Sequence, residues 1–369
     1  MKIYMFYHSV ISDWNHGNAH FLRGMVSALQ SMKHHVSIFE PSDGWSLKNL
    51  TKYYGEGIIQ DFRKKFPFHQ PSFYDVDTFN PEEVLEDADV VIVHEWNDPR
   101  LIKILGDYRS VNNHFLLFFH DTHHRAVTEP LEMQKFNLQH YDGVIVFGEI
   151  LKKIYEKERW GRNIHLLHEA ADIQVFKPIP SEEKEGDLVW IGNWGDNERT
   201  DELLEFIIEP SEELNLKTVF YGVRYPKYAV RLLEKANIEY RNWVPNYKVP
   251  EVFSRFRFTV HVPRRPYVKN LPGIPTIRPF EAMACGIPLI CSTWNDSENL
   301  FTPGMDYLIA HSGEEMKQHM KTVLEDKETA GIISEHALKT IQNRHTCGHR
   351  AKEFLEIAEK TIQAKRLIA

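Results

Sequence analysis

Residues 273–297, GIPTIRPFEAMACGIPLICSTWNDS, constrain the fold more than any other stretch, because they set a loop, a short helix and a buried strand end to end. Pro275 and Pro279 each bias the preceding residue away from helical backbone, so residues 273–278 are expected as a loop. Pro279 suits a first helical position, residues 280–284 are mostly good helix formers, and Gly286 stands where a left-handed C-terminal residue belongs. Glu281 then falls in the first turn, on a helix whose unsatisfied N–H groups suit a phosphate or a sugar hydroxyl. The plainer alternative is a first-turn carboxylate favoured by the helix dipole. Residues 287–291 form a short apolar run, the pattern of a strand buried on both faces.

The same alternation runs through the chain. Residues 3–10 read as a strand, residues 12–17 as a polar loop, and Asn18 as the cap of a helix with Phe21, Leu22, Met25, Leu29 and Met32 on one face. A strand at 36–39 completes a doubly wound opening, whose strand-end loops line ligand sites. Its loop holds one glycine, Gly17, and so lacks the GxGxxG of a dinucleotide site. Residues 43–83, rich in aromatics and prolines, read as an irregular insertion suited to an acceptor. Strands at 89–93, 115–119, 142–147 and 164–167 alternate with helices at 100–108 and 149–158. Prolines 178 and 180 mark residues 177–184 as a linker.

A second cycle restarts at 188–191, with the turn Gly192-Asn193-Trp194-Gly195 and a helix at 198–208. Further strands (217–221, 238–243, 258–262) and helices (227–236, 249–256, 313–325, 327–342, 346–365) follow. The expected fold is α/β, with two doubly wound Rossmann-like domains, 1–176 and 177–345, facing across a crevice. The last helix is expected to return to the first domain.

Length and composition bound the rest. A chain of 369 residues exceeds one ordinary core. With 42% hydrophobic and 26% charged residues it is of globular composition, and a net charge of −8 argues against general nucleic-acid binding. Arg264, Arg265 and Lys269 form the compact basic exception, placed to meet a diphosphate. Three cysteines and no metal-ligand spacing among them point to a reducing compartment. The first residues are too short and polar for a signal peptide, and no run is long enough to span a bilayer, so a cytoplasmic protein is expected.

His120-Asp121-Thr122-His123-His124 follows an apolar strand at its C-terminal end, where doubly wound folds place function. A substrate-contacting site, loop histidines without a role and a metal site are the open readings. The metal reading lacks the helical HExxH context that aligns two imidazoles. The Asp75/Asp77 and Asp87/Asp89 pairs are read as structural.

The run RPFEAMACGIPLI resembles the donor-nucleotide signature of the group 1 glycosyltransferases (family 4 and its relatives), enzymes of the GT-B fold. RHTCGHRAKEFLEI, at 344–357, is similar to their spore-maturation-protein-like branch. The resemblance implies that Glu281 holds the ribose of a nucleoside-diphosphate sugar, with UDP the expected nucleotide. The family's second glutamate, eight residues earlier, contacts the donor sugar; here that position is Gly273. Thr276 and Arg278 share the donor loop, while Asn193, Arg199, Arg264 and Lys269 are the other donor-side residues. The family's arginine and lysine in the turn GNWGDNERTDE are absent, and Arg199 is the nearest cation, or else a solvated surface residue. By the same resemblance His16, Gly17 and Asn18 approach the phosphates or the acceptor, and His120 with Asp121 forms the catalytic pair.

The implied activity is metal-independent sugar transfer to an acceptor hydroxyl with retention, using no cofactor beyond the donor. The acceptor is a surface glycan, a lipid-linked intermediate, a small metabolite or a modified nucleobase. A nucleotide-sugar epimerase, a phosphorylase and a non-catalytic nucleotide-sugar binder are the alternatives.

Overall fold

A computed structural model of the chain describes residues 1–181, 183–195 and 197–368. Glu182, in the expected linker, and Asp196, in the expected turn, lie outside the described residues. The chain divides into two compact units, Met1–Glu169 with the segment from Cys347 onward, and Ala170–Thr346. The 177–184 stretch lies inside the second.

The first unit is built on seven parallel strands: β1 (Lys2–Phe6), β2 (His35–Pro41), β3 (Ser72–Tyr74), β4 (Val90–His94), β5 (Leu116–Asp121), β6 (Gly143–Val146) and β7 (Ile164–Leu166). Their order is β3-β2-β1-β4-β5-β6-β7. All residues of β4, β5 and β6 are buried, which explains why these runs read as continuously apolar. The order reverses between β1 and β4, and at such a point the strand ends leave room for a ligand.

β1 stops at Phe6, short of the expected Val10. The following segment is instead held as a loop by the buried Glu40, which accepts from Ile11 N at 3.1 Å, from Val10 N and from Ser9 Oγ at 3.0 Å. Arg23 adds a buried pair with Asp13 at 2.9 Å and donates to Val10 O at 2.6 Å. Residues 43–83 are more regular than expected, containing helices Trp45–Tyr54, Gly57–Lys65 and Pro81–Leu85 besides β3. Their apolar anchors are few, Leu50 and Phe62 among them, and the Phe62 ring lies under the Arg23 guanidinium at 4.9 Å. Periodicity alone was too thin to show them.

The helix Cys347–Ile368 completes this unit. Ala351, Phe354 and Ala358, spaced for one helical face, are buried, and Phe354 meets Phe118 edge-on at 6.0 Å. Arg350 donates to His168 O at 3.0 Å, and Lys365 pairs with the buried Asp142 at 2.5 Å. The acidic pairs are structural here: Asp87 pairs with Lys2, Asp89 accepts from Lys2 N, and Asp77 pairs with Arg100.

The second unit has six parallel strands: β8 (Gly186–Ile191), β9 (Thr218–Tyr221), β10 (Glu239–Tyr240), β11 (Phe256–His261), β12 (Leu289–Ser292) and β13 (Leu308–Ala310). Their order, β10-β9-β8-β11-β12-β13, reverses between β8 and β11. The helix expected to end at Ile208 runs on from Thr200–Leu203 through a π turn at Leu204–Ile208 to Glu209–Glu213. Pro210 brings no N–H to this run, and a wider turn just before it accommodates the missing bond.

Candidate functional site

In the second unit the chemistry gathers where β8 and β11 end. Arg199, from the segment after β8, donates to Val262 O at 2.8 Å and to Asn193 O at 2.5 Å, and its guanidinium lies 5.1 Å from the Trp190 ring. Its Nε is buried without an acceptor. Burial, then the neighbouring Arg264, pulls its pKa down to about 9, so it remains a cation at neutral pH. The residue is half-buried, with its guanidinium tied to backbone carbonyls rather than lying loose on the helix surface. Arg264 pairs with Glu198 at 3.1 Å. Asn193 is committed elsewhere, its Oδ1 accepting from Val223 N at 2.9 Å, and Lys269 is exposed on the short helix Arg265–Lys269.

His261 ends β11. Its Nε2 is hydrogen-bonded to Thr276 Oγ1 at 3.2 Å, and its buried Nδ1 has no partner. Burial first, with Arg199 and Arg278 adding to it, pushes its pKa down to about 3, so the ring is neutral. Thr276 carries φ +39°, a costly conformation for a β-branched residue of the kind that clusters at ligand sites.

The helix that Thr276 precedes is Ile277–Ala284, so Ile277 and Arg278 are helical, against expectation. Pro279 is its third residue, where the missing N–H would have been unsatisfied anyway. Glu281 therefore sits in the second turn and is fully buried. Its carboxylate pairs with Arg278 and accepts from Asn246 Nδ2 at 2.7 Å. That corrects the placing of Glu281 in the first turn as a carboxylate favoured by the helix dipole. Gly286 adopts φ +65° as the C-terminal residue, and Gly273 adopts φ +93°.

In the first unit the ends of β1, β4 and β5 bring histidines together. The His8 and His16 rings lie tilted to one another with centroids 3.8 Å apart, and His94 lies 5.8 Å from His8 and 5.5 Å from His120. His16 is also hydrogen-bonded to Ser9 O at 3.1 Å. Burial lowers the pKa of His8 to about 3 and of His120 to about 4, and places His16 and His94 well below the usual imidazole range. All four are neutral at pH 7. His120 and Asp121 lie in the last two positions of β5 rather than in the loop beyond it, and the buried His120 Nε2 has no partner.

Asp121 accepts from Tyr155 OH at 2.7 Å and from His123 N at 2.9 Å, and burial raises its pKa to about 6. Glu95, fully buried, pairs with Arg125 at 3.1 Å; burial and then Asp121 raise its pKa well above the carboxylate range. Asn18 does not cap the helix Ala19–Ser31 with its side chain; its backbone is already helical and its Nδ2 donates to Thr122 O at 3.2 Å and to Thr122 Oγ1. Gly17 is exposed. Among the described residues no group of three or more His, Cys, Asp or Glu is arranged to hold a metal ion.

Sequence reasoning missed His8, His94, Glu95, Arg125, Asn246 and His261. His94-Glu95 follows a buried strand just as His120-Asp121 does, and that signal was open to the same reading. Asn246 carried none.

The family model described as Glycosyl transferase-like matches residues 199–356. No curated protein sequence matches the chain. Among solved structures the chain is similar to sucrose-phosphate synthase from Thermosynechococcus elongatus, at 14% identity over 99% of this chain and 100% of that one, with a TM-score of 0.67. It is also similar to Anabaena HepE in complex with UDP and glucose, at 12% identity, 98% and 100% coverage, and a TM-score of 0.68. T4 phage BGT in complex with its UDP-glucose substrate matches at 12% identity, 98% and 99% coverage, and a TM-score of 0.61. At these identities the likeness is one of fold: two parallel sheets with alternating helices, the GT-B fold of glycosyltransferases. No helix among the described residues is long and apolar enough to cross a membrane.

Proposed function

We propose that the chain is a glycosyltransferase that moves a sugar from a UDP-sugar to an acceptor hydroxyl. The observation that carries this is the half-buried cationic cradle of Arg199 beside Arg264, with the buried, neutral His261, at the strand-order reversal of the second unit. Preorganised cations in a desolvated site stabilise the charge that develops on a departing diphosphate. The likeness of residues 199–356 to glycosyl transferases and the UDP-bound neighbours of the same fold support the reading.

In this reading residues 177–345 form the donor domain and residues 1–176, with the last helix, the acceptor domain. The anomeric carbon–oxygen bond to the phosphate breaks, the acceptor oxygen bonds to that carbon, and the acceptor proton passes to the leaving phosphate oxygen with retention. Arginine cations in place of a metal ion neutralise the leaving group. His120, neutral and with an unpartnered ring nitrogen, orients the reacting groups by hydrogen bonding. Glu281 takes the ribose, and its pairing with Arg278 links ribose and diphosphate binding. We place the enzyme in the family 4, spore-maturation-like branch, as a hexosyl- or pentosyltransferase of the cytoplasm.

Titration calorimetry with UDP, UMP and uridine tests the cradle. Affinity that rises steeply with the second phosphate, and falls in Arg199→Met, is the expected result; equal affinity for uridine and UDP defeats the proposal. Incubation with UDP-glucose, followed by assay for released UDP, then tests catalysis.

A further inference from the structure

We infer that Trp96 is the platform on which the acceptor lies, and that the acceptor is a neutral saccharide whose ring stacks by its C–H face on the indole. The inference rests on the reading of residues 1–176 as the acceptor domain. Trp96 follows β4 at the strand-order reversal of the first unit, where strand-end loops line ligand sites. Its side chain is 43% exposed, although Glu95 before it and Asn97 after it are buried.

Both chain neighbours of Trp96 are clamped. Glu95 N donates to His120 O at 2.9 Å, and the Glu95 carboxylate pairs with Arg125 at 3.1 Å. Asn97 Nδ2 donates to Phe6 O and to His94 O, both at 2.8 Å, while its Oδ1 accepts from Tyr74 OH at 2.8 Å. The ring is fixed as well: the Arg125 guanidinium lies over it at 4.7 Å, and His123 meets it edge-on at 4.9 Å. His8, from the segment after β1, lies 6.1 Å away. The indole is thus held in place before a ligand arrives, and little freedom is lost when one stacks on it.

The surroundings select a neutral polyol. The face of an indole is negative and draws the positive ends of C–H bonds, several of which one side of a sugar ring presents together. Arg125 brings a positive charge to the ring, but that charge is paired with Glu95 at 3.1 Å and Glu129 at 3.3 Å, so it is neutralised before it could draw a phosphate. His8, beside the indole, is uncharged, and its buried Nδ1 has no hydrogen-bond partner, a need that a sugar hydroxyl meets. A nucleobase also stacks on tryptophan. Nucleic acid, however, is held through its phosphates by cations, and this chain carries a net charge of −8.

Saturation-transfer difference NMR on the full chain, with maltose, cellobiose, lactose and deoxycytidine as separate probes, tests this beside calorimetric titration with UDP. The wild type is expected to bind at least one of the disaccharides, and Trp96→Ala to weaken that binding about tenfold, the scale of losing one ring-stacking contact. Trp96→Phe, which keeps a ring to stack on, should restore part of the affinity, and UDP affinity should stay unchanged in both variants. A wild type that binds none of the disaccharides, equal binding by Trp96→Ala, or a Trp96-dependent signal from deoxycytidine alone overturns the inference and leaves the donor reading standing. Failure of the wild type to bind UDP overturns the proposed function, and the acceptor role of Trp96 with it.

Discussion

Asn18 donates its side-chain amide to Thr122, joining the start of the helix Ala19–Ser31 to the segment after β5 across 104 residues of sequence. Thr122 Oγ1 is also hydrogen-bonded to His94 Nε2 at 2.9 Å, so the ends of β1, β4 and β5 share one polar link. Asn18→Asp separates this role from capping, since aspartate caps helices as well as asparagine but has no N–H to give. The variant is expected to lose about 1 kcal/mol in urea denaturation. Stability equal to wild type would reduce Asn18 to an ordinary helix-start residue.

Glu281→Ala is expected to destabilise the second unit, because it strips the carboxylate from Arg278 and Asn246 in a buried site. Breaking a buried pair from one side costs about 3–5 kcal/mol. Glu281→Gln, which still accepts from Asn246, should cost less. Chemical denaturation followed beside UDP titration separates lost stability from lost binding, and an Ala variant as stable as its parent contradicts the geometry described.

His120→Ala should lower turnover far more than UDP affinity, because its contacts belong mainly to the transition state. With a pKa near 4 the ring is a poor base at neutral pH. His120→Asn, able to hydrogen-bond but not to take a proton, is expected to recover part of the rate. Turnover and affinity measured for both variants decide this; a fully inactive Asn variant would point to proton transfer.

The same depressed pKa predicts how stability changes with pH. The folded value, about 4, lies below the model-peptide value of 6.5, so the unfolded chain binds the proton first. His120 therefore costs nothing above about pH 6.5, and stability falls as the pH drops from there towards about 4. Asp121, raised to about 6, acts oppositely, weakening the fold as the pH rises through that window. In His120→Asn the acid-side loss of urea midpoint should be smaller than in wild type. An identical pH profile would mean that the ring is not buried as described.

Most strands were legible in the sequence because parallel strands buried on both faces leave uninterrupted apolar runs, as at Leu116–Asp121 and Leu289–Ser292. The helices Gly313–Glu325 and Glu149–Glu158 were readable to the residue from their amphipathic spacing. Helices Trp45–Tyr54 and Gly57–Lys65 were not, since each buries only one or two residues. At the candidate site, Glu281 and His120 stood out by their place beside strands and turns. Their partners did not: Asn246 reaches Glu281 from 35 residues away, and the burial that neutralises His8, His94 and His261 exists only once the sheets are formed.

The last helix has a consequence for how the protein is made. Cys347–Ile368 belongs to the unit that begins at Met1, yet it is synthesised after all of Ala170–Thr346. On the ribosome the amino-terminal sheet emerges first but waits for the seat of Phe354 to be filled, while the intervening unit is contiguous and can finish earlier. The order of completion is the reverse of the order of emergence. A released chain ending at residue 346 would thus carry a complete carboxy-terminal sheet and an amino-terminal one with an open apolar seam, the species a chaperone would hold.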